Sequence, residues 1–144
     1  MIRVAVVLAV VALAIAARAL LSRRAPAPVR TPGALPTRLD RDDFANPVAP
    51  WLVVAFTSAT CSTCADVARK VAVLESRQVA VQEVEFAARR QLHEKYAIDA
   101  VPAVVLVGRD GSVVATFLGP VSAADLWAAV ARVREGGAAY PGCS

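Results

Sequence analysis

The order of apolar and polar positions after residue 50 predicts a series of strands and helices. The continuous apolar run Trp51–Thr57 predicts a strand that is buried on both faces. Apolar residues recur at helical spacing in the next segment and predict a helix over residues 62–75: Ala65, Ala68, Val71 and Leu74. The same two periodicities predict strands over residues 79–86, 101–107 and 113–118, and helices over residues 87–96 and from 122 to near 136.

The order of these elements, β-α-β-α-β-β-α, predicts an α/β fold with a mixed sheet and helices on both faces. The strands joined by helices are expected to run parallel. Arg109-Asp110-Gly111 is a hairpin turn signal, so the fourth strand is expected to return antiparallel. Ser122 and Asp125 have the spacing of a capping box and predict the start of the last helix. Five aromatic side chains are expected in the core or covering the sheet: Trp51, Phe56, Phe86, Phe117 and Trp127.

A second hydrophobic pattern, at the N-terminus, predicts a membrane anchor. Residues 2–21 form an apolar run interrupted only by Arg3 and Arg18, near its two ends. As a helix, twenty residues span roughly 30 Å, which is about the hydrocarbon thickness of a bilayer. The alternative is a cleaved signal peptide, but the run is longer than the apolar part of such a peptide. We therefore predict a single transmembrane helix in residues 1–22.

The arginines that flank this helix predict which side of the membrane the rest of the chain occupies. Only Arg3 and the α-amine lie on the N-terminal side of the run. Four arginines lie on its C-terminal side: Arg18, Arg23, Arg24 and Arg30. Because the more positively charged flank of a transmembrane helix usually lies on the cytoplasmic side, the folded part is predicted to be cytoplasmic. An extracytoplasmic domain is the alternative.

The rest of the chain divides into a linker, a domain and a tail. Four prolines in residues 25–36 prevent regular structure, so residues 23–46 are predicted to be an Arg- and Pro-rich juxtamembrane linker. The folded domain is predicted over residues 47–136, with a tail over residues 137–144. Residues 1–44 contain seven arginines and three aspartates, which account for the whole net charge of +4. The predicted domain therefore has no basic excess, which argues against nucleic-acid binding.

Two of the three cysteines, Cys61 and Cys64, lie where the first strand passes into the first helix. Their spacing places Cys61 at the helix start and Cys64 one turn later on the same face. A disulfide closes at this separation without strain. The unpaired N–H groups and partial positive charge of a helix N-terminus favour the thiolate, which is the nucleophile. The arrangement predicts thiol–disulfide exchange in which Cys61 attacks and Cys64 resolves.

Two other interpretations of the cysteine pair stay open. One is a structural disulfide or a pair of inert thiols. The other is a metal site, although zinc needs four ligands and the remaining candidates are His93 and Cys143. Since polar residues surround His93 in the sequence, we expect it to be solvated, and we predict no metal site. Cys143 is either a free thiol on the tail or a second resolving cysteine that relays electrons to Cys61.

From about Pro47 to Glu135 the chain resembles the thioredoxin family. Three features carry the resemblance: the Cys61-Ser62-Thr63-Cys64 motif after a buried strand, Val101-Pro102 at the start of the third strand, and the hairpin and final helix that follow. The resemblance implies that Pro102 is cis and lies against the disulfide. It implies a substrate groove that includes Thr60, Val101 and Pro102, protein thiols and disulfides as partners, and no cofactor beyond the redox-active disulfide. The N-terminal β-α unit of the family is expected to be missing or shortened, because residues 39–50 are too few to form it.

The sequence also departs from the family pattern in ways that affect the site. Thr60 stands in place of a Trp, and Ser62-Thr63 in place of Gly-Pro. The hydroxyls of Ser62 and Thr63 are expected to stabilise a thiolate. Ala55 stands where many members bury an Asp that helps to move the resolving proton. Either Glu83 and Glu85 face outward, or one of them supplies the missing acid.

The sequence therefore predicts a membrane-tethered thiol–disulfide oxidoreductase, with oligomeric state left open. The alternative is a non-catalytic thioredoxin-like module that uses the same groove to hold a membrane-associated partner, with the cysteines as a redox latch. A thiol-dependent metal carrier is a third interpretation.

Overall fold

The computed structural model describes residues 34–136 of the chain. Four strands and three helices follow one another in the predicted order. They are β1 (Trp51–Thr57), α1 (Cys64–Ala72), β2 (Val79–Glu85), α2 (Arg90–Tyr96), β3 (Ala103–Gly108), β4 (Val113–Leu118) and α3 (Ala123–Arg134). The predicted membrane helix and the tail with Cys143 lie outside the described residues. Within residues 34–136, no helix is long and apolar enough to cross a membrane.

The four strands form one mixed sheet in the order β2-β1-β3-β4. β1 pairs in parallel with β2, whereas β3 pairs antiparallel with both β1 and β4. The α/β fold, the mixed sheet and the antiparallel hairpin are thus confirmed. The expectation that β3 also runs parallel is wrong.

The connection that contains α2 returns to the same end of the sheet that it left. β2 ends at Glu85 and β3 begins at Ala103, and both of these positions lie beside the end of β1. In the register of the sheet, Phe56 is paired with both Val84 of β2 and Ala103 of β3.

Helices cover both faces of the sheet, as predicted. On one face, α1 and α3 pack on apolar side chains that include Val53, Ala55 and Leu106. On the other face, α2 packs on side chains that include Val54 and Phe56. The inner strand β1 is almost completely buried because its side chains belong to the apolar clusters on both faces of the sheet.

Some helix boundaries and buried positions differ from the prediction. α1 begins at Cys64, not at residue 62, and its buried stripe consists of Cys64, Val67 and Val71, of which only Val71 was predicted. Leu74 is buried as predicted, but it lies just after the end of the helix. Ala65 is exposed because it lies one position off this stripe. α2 begins only at Arg90. Trp127 is 49% exposed and Phe86 is 37% exposed, so of the two alternatives given for the aromatics, a place in the core does not apply to these two.

The segment before β1 packs on the sheet, although the sequence assigned it to the linker. Arg38 forms a β-bridge with Ser112, and the Leu39 N–H donates to the Gly111 carbonyl. Gly111 has a φ of +83°, and a Cβ there would collide with the Leu39 carbonyl. Leu39 and Phe44 are 2% and 5% exposed. Residues 37–44, which the prediction placed in the linker, therefore pack as part of the folded unit.

A short 3₁₀ helix, Arg41–Asp43, turns this segment toward the sheet. The buried Arg41 guanidinium donates hydrogen bonds to the carbonyls of Gly108, Ala49 and Asn46. Burial, and then the nearby Arg109 charge, lower the pKa of Arg41 from its ordinary value. Within residues 34–136, this 3₁₀ helix and the bridge at Arg38 are the elements that precede β1.

Candidate functional site

The two cysteines are joined in a disulfide at one end of the sheet. β1 ends at Thr57, a turn follows, and α1 begins with Cys64. The Cα atoms of Cys61 and Cys64 are 5.4 Å apart, within the usual range for a disulfide. Cys64 is 2% exposed, whereas Cys61 is only partly buried. An attacking reagent therefore reaches Cys61 first.

Cys61 precedes the helix and does not start it, which corrects the sequence prediction. Its N–H donates to the Ser58 carbonyl at 3.1 Å, and its carbonyl accepts from the Cys64 N–H at 3.4 Å. Thr63 is the N-cap of α1 and makes no side-chain cap hydrogen bond. The sulfur of Cys61 thus lies just ahead of the first turn of α1, where the partial positive charge of a helix favours an anion.

The hydroxyls around the disulfide differ in their contacts. The Thr63 hydroxyl lies 3.7 Å from the Cys61 sulfur, close enough for a hydrogen bond to sulfur. Ser62 is exposed. The Thr60 hydroxyl is exposed and shares a hydrogen bond of 3.1 Å with the Ser58 hydroxyl. Of the two hydroxyls expected to stabilise a thiolate, only that of Thr63 is in contact with the sulfur among the described residues.

Pro102 lies at the same end of the sheet as the cysteines. Ala103, which follows it, is paired with Phe56, one residue before the end of β1. The Val101–Pro102 peptide bond is cis, as the resemblance implies. Pro102 is buried and its carbonyl accepts a hydrogen bond from the Gly119 N–H, while Val101 is only partly buried. The sheet therefore brings together two segments that are about forty residues apart in the chain.

Glu85 supports the turn that leads to Cys61. One of its carboxylate oxygens accepts from the Ala59 N–H and the other from the Ala88 N–H. Hydrogen bonds from the Ala88 and Ala87 N–H groups lower the pKa of Glu85 from its usual value. This carboxylate is therefore charged at neutral pH and has a structural role.

Glu83 makes a different contact. The Thr57 hydroxyl, on a residue that is 1% exposed, donates to Glu83 Oε1 at 2.7 Å. Glu85 therefore accepts hydrogen bonds from backbone N–H groups, and Glu83 accepts a hydrogen bond from a buried hydroxyl. Glu83 is nonetheless exposed, as the outward-facing alternative expects, and Glu85 is partly buried.

His93 is the polar residue whose position the sequence misjudged. It is 2% exposed, not solvated, and lies between the rings of Phe56 and Phe86 with edge-to-face geometry. Its Nε2 is 2.9 Å from the Val84 carbonyl, and because a carbonyl can only accept, Nε2 donates. Among residues 34–136, no three His, Cys, Asp or Glu side chains are grouped to hold a metal ion.

Known proteins show a similar fold. Residues 36–132 match the family model described as Thioredoxin. Over 58% of this chain and 81% of that one, the X-ray structure of Fasciola hepatica thioredoxin is 28% identical with a TM-score of 0.51. A mutant thioredoxin from Halobacterium salinarum NRC-1 is 22% identical with a TM-score of 0.51, over 64% of this chain and 82% of that one. Chloroplastic thioredoxin z is 23% identical with a TM-score of 0.53, over 60% of this chain and 80% of that one. No curated protein sequence matches the chain.

Proposed function

Because the chain belongs to the thioredoxin family, we propose that it is a membrane-tethered thiol–disulfide oxidoreductase that acts on protein partners through Cys61 and Cys64. The observation that carries this proposal is the unequal exposure of two cysteines that are joined in a disulfide. The partly exposed sulfur of Cys61 can attack a partner disulfide and can itself be attacked by a partner thiolate. The buried sulfur of Cys64 can react only with Cys61.

The exchange needs no group beyond the cysteine pair. The Cys61 thiolate attacks a disulfide of the partner, forms a mixed disulfide and releases one partner thiolate. Cys64 then loses its proton and attacks the Cys61 sulfur, which forms the Cys61–Cys64 disulfide and releases the second partner thiolate. Two electrons pass from the cysteine pair to the partner, and the reverse sequence oxidises a partner dithiol.

The partner chain is proposed to lie along Thr60, Val101 and Pro102. The adjacency of Pro102 to the end of β1 supports this assignment, since a chain bonded to Cys61 would pass over it. The partial exposure of Val101 leaves part of this strand entry open to a ligand. Thr63 is proposed to stabilise the Cys61 thiolate through its hydroxyl. Ser62 is proposed as a second donor, because its exposed side chain can rotate toward the sulfur.

The proposed tether is the apolar run of residues 2–21, with the flanking arginines favouring a cytoplasmic domain. This part of the proposal rests on the sequence alone. It is independent of the exchange chemistry, because the folded residues 34–136 contain both cysteines of the pair and Pro102.

Reduction of insulin disulfides, with dithiothreitol as the electron source, tests the activity. We expect the chain to accelerate the reaction and Cys61→Ser to reduce it to the uncatalysed background, because the attacking sulfur is lost. In Cys64→Ser, reduced beforehand and then freed of dithiothreitol, the mixed disulfide should form but not resolve, so a covalent complex with the partner should accumulate. Glu94→Gln, an exposed change on α2, is the matched control and should retain the wild-type rate.

Two outcomes would contradict the proposal. If the wild-type chain gave no acceleration, the alternative of a non-catalytic binding module would be favoured. If Cys61→Ser retained activity, the attacking sulfur would have been assigned wrongly. Adding Cys143→Ser to the Cys64→Ser variant decides the role of the tail cysteine. If Cys143 is a relay, the amount of covalent complex should change when Cys143 is replaced.

A further inference from the structure

A cleft of about 470 Å³ lies at the end of the sheet opposite the disulfide, between the segment before β1 and the turn that joins β3 to β4. Gly108, the last residue of β3, is paired with Trp51 at the start of β1, whereas the disulfide follows the other end of β1. The exchange proposed above therefore does not use this cleft. Six charged residues belong to its lining: Arg38, Asp40, Arg41, Asp42, Arg109 and Asp110.

Arg41 is on the floor of the cleft. It is 7% exposed, whereas the other five charged residues of the lining are exposed. Its two terminal nitrogens donate to the carbonyls of Gly108, Asn46 and Ala49. Its Nε is buried and has no hydrogen-bond partner within residues 34–136. Buried polar groups in folded proteins are nearly always hydrogen-bonded, so this N–H indicates an acceptor that is bound in the cleft.

The positive charge of Arg41 also lacks a partner of opposite sign. The carbonyl oxygens that it bonds are neutral, and no carboxylate forms an ion pair with it in the part of the chain that the structure describes. Burial, and then the repulsion of Arg109, lower the pKa of Arg41. Because buried charges in proteins are normally paired, an anion in the cleft would supply the missing charge.

Two of the three aspartates in the lining are bonded to groups other than Arg41 and Arg109. Asp110 accepts from the hydroxyl and the N–H of Ser112, and these hydrogen bonds lower its pKa. Asp40 accepts from the Asp42 N–H and lies 3.8 Å from the Lys95 nitrogen. The exposed Asp42 carboxylate is thus the group of the rim that opposes an anion most directly.

The other two arginines supply donors at the rim. Arg38 uses one terminal nitrogen to donate to the Asp110 carbonyl at 2.6 Å, which leaves its remaining N–H groups available. Arg109 is exposed and has neither a hydrogen bond nor an ion pair with any residue in 34–136. Guanidinium groups present paired N–H donors that match the oxygens of a phosphate group, so arginines predominate in phosphate sites.

We propose that this cleft binds a phosphate group, to which the Arg41 Nε donates from the floor while Arg38 and Arg109 bind it from the rim. The volume is in the range of small-molecule pockets, so the organic part of a phosphate monoester also fits.

A soluble phosphate and a lipid headgroup offer the same chemistry to this site. Sixteen residues, 22–37, separate Arg38 from the end of the apolar run, and fully extended they span at most roughly 55 Å. The headgroups around the proposed tether are therefore within reach of the cleft, as is any phosphate in solution.

The test follows the Arg41 Nε–H resonance by proton–nitrogen NMR while inorganic phosphate is added to the full chain in uncharged detergent micelles. We expect the resonance to shift and the shift to saturate, because the N–H gains an acceptor. Potassium chloride at the same ionic strength is the matched salt and should not reproduce the shift. The resonance reports on the floor of the cleft without replacing Arg41, whose bonds to three carbonyls support the fold.

Three exposed substitutions test the rim. Arg109→Gln should raise the dissociation constant for phosphate at least about fivefold, since hydrogen bonds to charged groups are the stronger ones. Asp42→Asn should lower this constant, because it removes a negative charge beside the ligand. Arg77→Gln, an exposed change of the same charge outside the cleft, is the control and should change it by less than about twofold.

Nanodiscs distinguish the two sources of the phosphate group. The full chain is placed in nanodiscs of phosphatidylcholine, with or without phosphatidate, whose headgroup is a phosphate monoester. If a lipid headgroup binds, the Arg41 resonance is already shifted in the phosphatidate nanodiscs, and added phosphate changes it little. If a soluble phosphate binds, the resonance responds equally to added phosphate in both kinds of nanodisc.

Absence of a saturable shift with both inorganic phosphate and phosphatidate would overturn the proposal, as would a shift that chloride reproduces. Wild-type affinity in Arg109→Gln, or weaker binding in Asp42→Asn, would also overturn it. Cys61→Ser, which removes the attacking sulfur of the proposed exchange, should leave the shift unchanged. The phosphate site and the exchange activity are therefore tested by separate experiments.

Discussion

At the scale of single residues, His93 joins α2 to the sheet by contacts that few other side chains could make. Its ring fills the space between Phe56 and Phe86 and also donates a hydrogen bond to the Val84 carbonyl. An apolar ring of the same size would fill the space but leave the carbonyl unpaired. An unpaired buried polar group costs about 1–3 kcal/mol.

We expect His93→Ala to lower the free energy of unfolding by about 3 kcal/mol, from the lost hydrogen bond and the cavity between the two rings. Urea denaturation followed by circular dichroism measures the change. Glu94→Ala, at the next and exposed position of α2, is the control and should change stability by less than about 0.5 kcal/mol. Equal stability of the two variants would mean that the ring is not part of the packed core.

The same residue shows where prediction from the sequence stops. The Cys61 and Cys64 pair and Pro102 were recognised because their signals are local: a fixed spacing, and a proline at the start of a strand. The burial of His93 depends on Phe56, which is distant in the chain and reaches His93 only through the order of the strands. Glu83 and Thr57 likewise meet across two strands, so their contact follows from register, which the sequence did not specify.

At the scale of elements, the segment before β1 is fastened to α2 by polar contacts. Tyr96 donates to Asp43 Oδ2 and accepts from the Asp40 N–H, and Lys95 bonds the same Asp43 oxygen at 2.6 Å. Burial alone would raise the pKa of Asp43, but the hydrogen bonds from Lys95 and Tyr96 outweigh it, so that the pKa lies below its ordinary value. The charged form of Asp43 therefore stabilises the fold.

This lowered pKa predicts how Asp43 contributes to stability at different pH values. A carboxylate with a lowered pKa in the folded state contributes fully above its pKa in the unfolded chain, which is near 3.8, and loses the contribution as pH falls through the folded value. Asp43→Asn should therefore cost about 1 kcal/mol near neutral pH, a modest value because water partly screens the pair with Lys95. The difference from the wild type should be constant above about pH 5 and shrink below about pH 4.

Denaturation series at several pH values measure this difference. Asp42→Asn is the control, because Asp42 lies in the same 3₁₀ helix, whereas the ion pairs of Lys95 among the described residues are with Asp43 and Asp40. A difference that grew as the pH fell would contradict the assignment of a lowered pKa.

At the same scale, the sequence predicted which elements exist better than how they are arranged. Periodicity placed each strand and helix within a few residues, because it reports which side chains are buried along one segment. The direction of β3 was not predicted because a helix between two strands fits either a parallel or an antiparallel connection, and only the pairing with β1 decides between them. The role of residues 37–44 was missed because so short a segment has no periodicity of its own, and its burial comes from the sheet on which it packs.

At the scale of the whole molecule, two functions of the N-terminal part can be separated. Residues 37–44 belong to the folded domain, whereas residues 2–21 are the proposed tether. A chain that starts at residue 34 should keep its fold and its exchange activity but leave the membrane fraction. A chain that starts at residue 46 should fail to fold stably, because it lacks the buried side chains of Leu39, Arg41 and Phe44.

Cell fractionation, circular dichroism and the insulin assay together check these two truncations. With the full chain, a thiol reagent that does not cross membranes should label reduced Cys61 only after the cells are opened, as expected for a cytoplasmic domain. Recovery of the full chain in the soluble fraction would contradict the tether, and labelling in intact cells would contradict the proposed side.

The short span of the disulfide has one more consequence. It joins residues only three positions apart, at one end of a sheet whose strands are held together by backbone hydrogen bonds and two apolar clusters. A crosslink over so short a loop removes little freedom from the unfolded chain. The domain can therefore alternate between its oxidised and reduced states while the scaffold stays folded, as repeated cycles of turnover require.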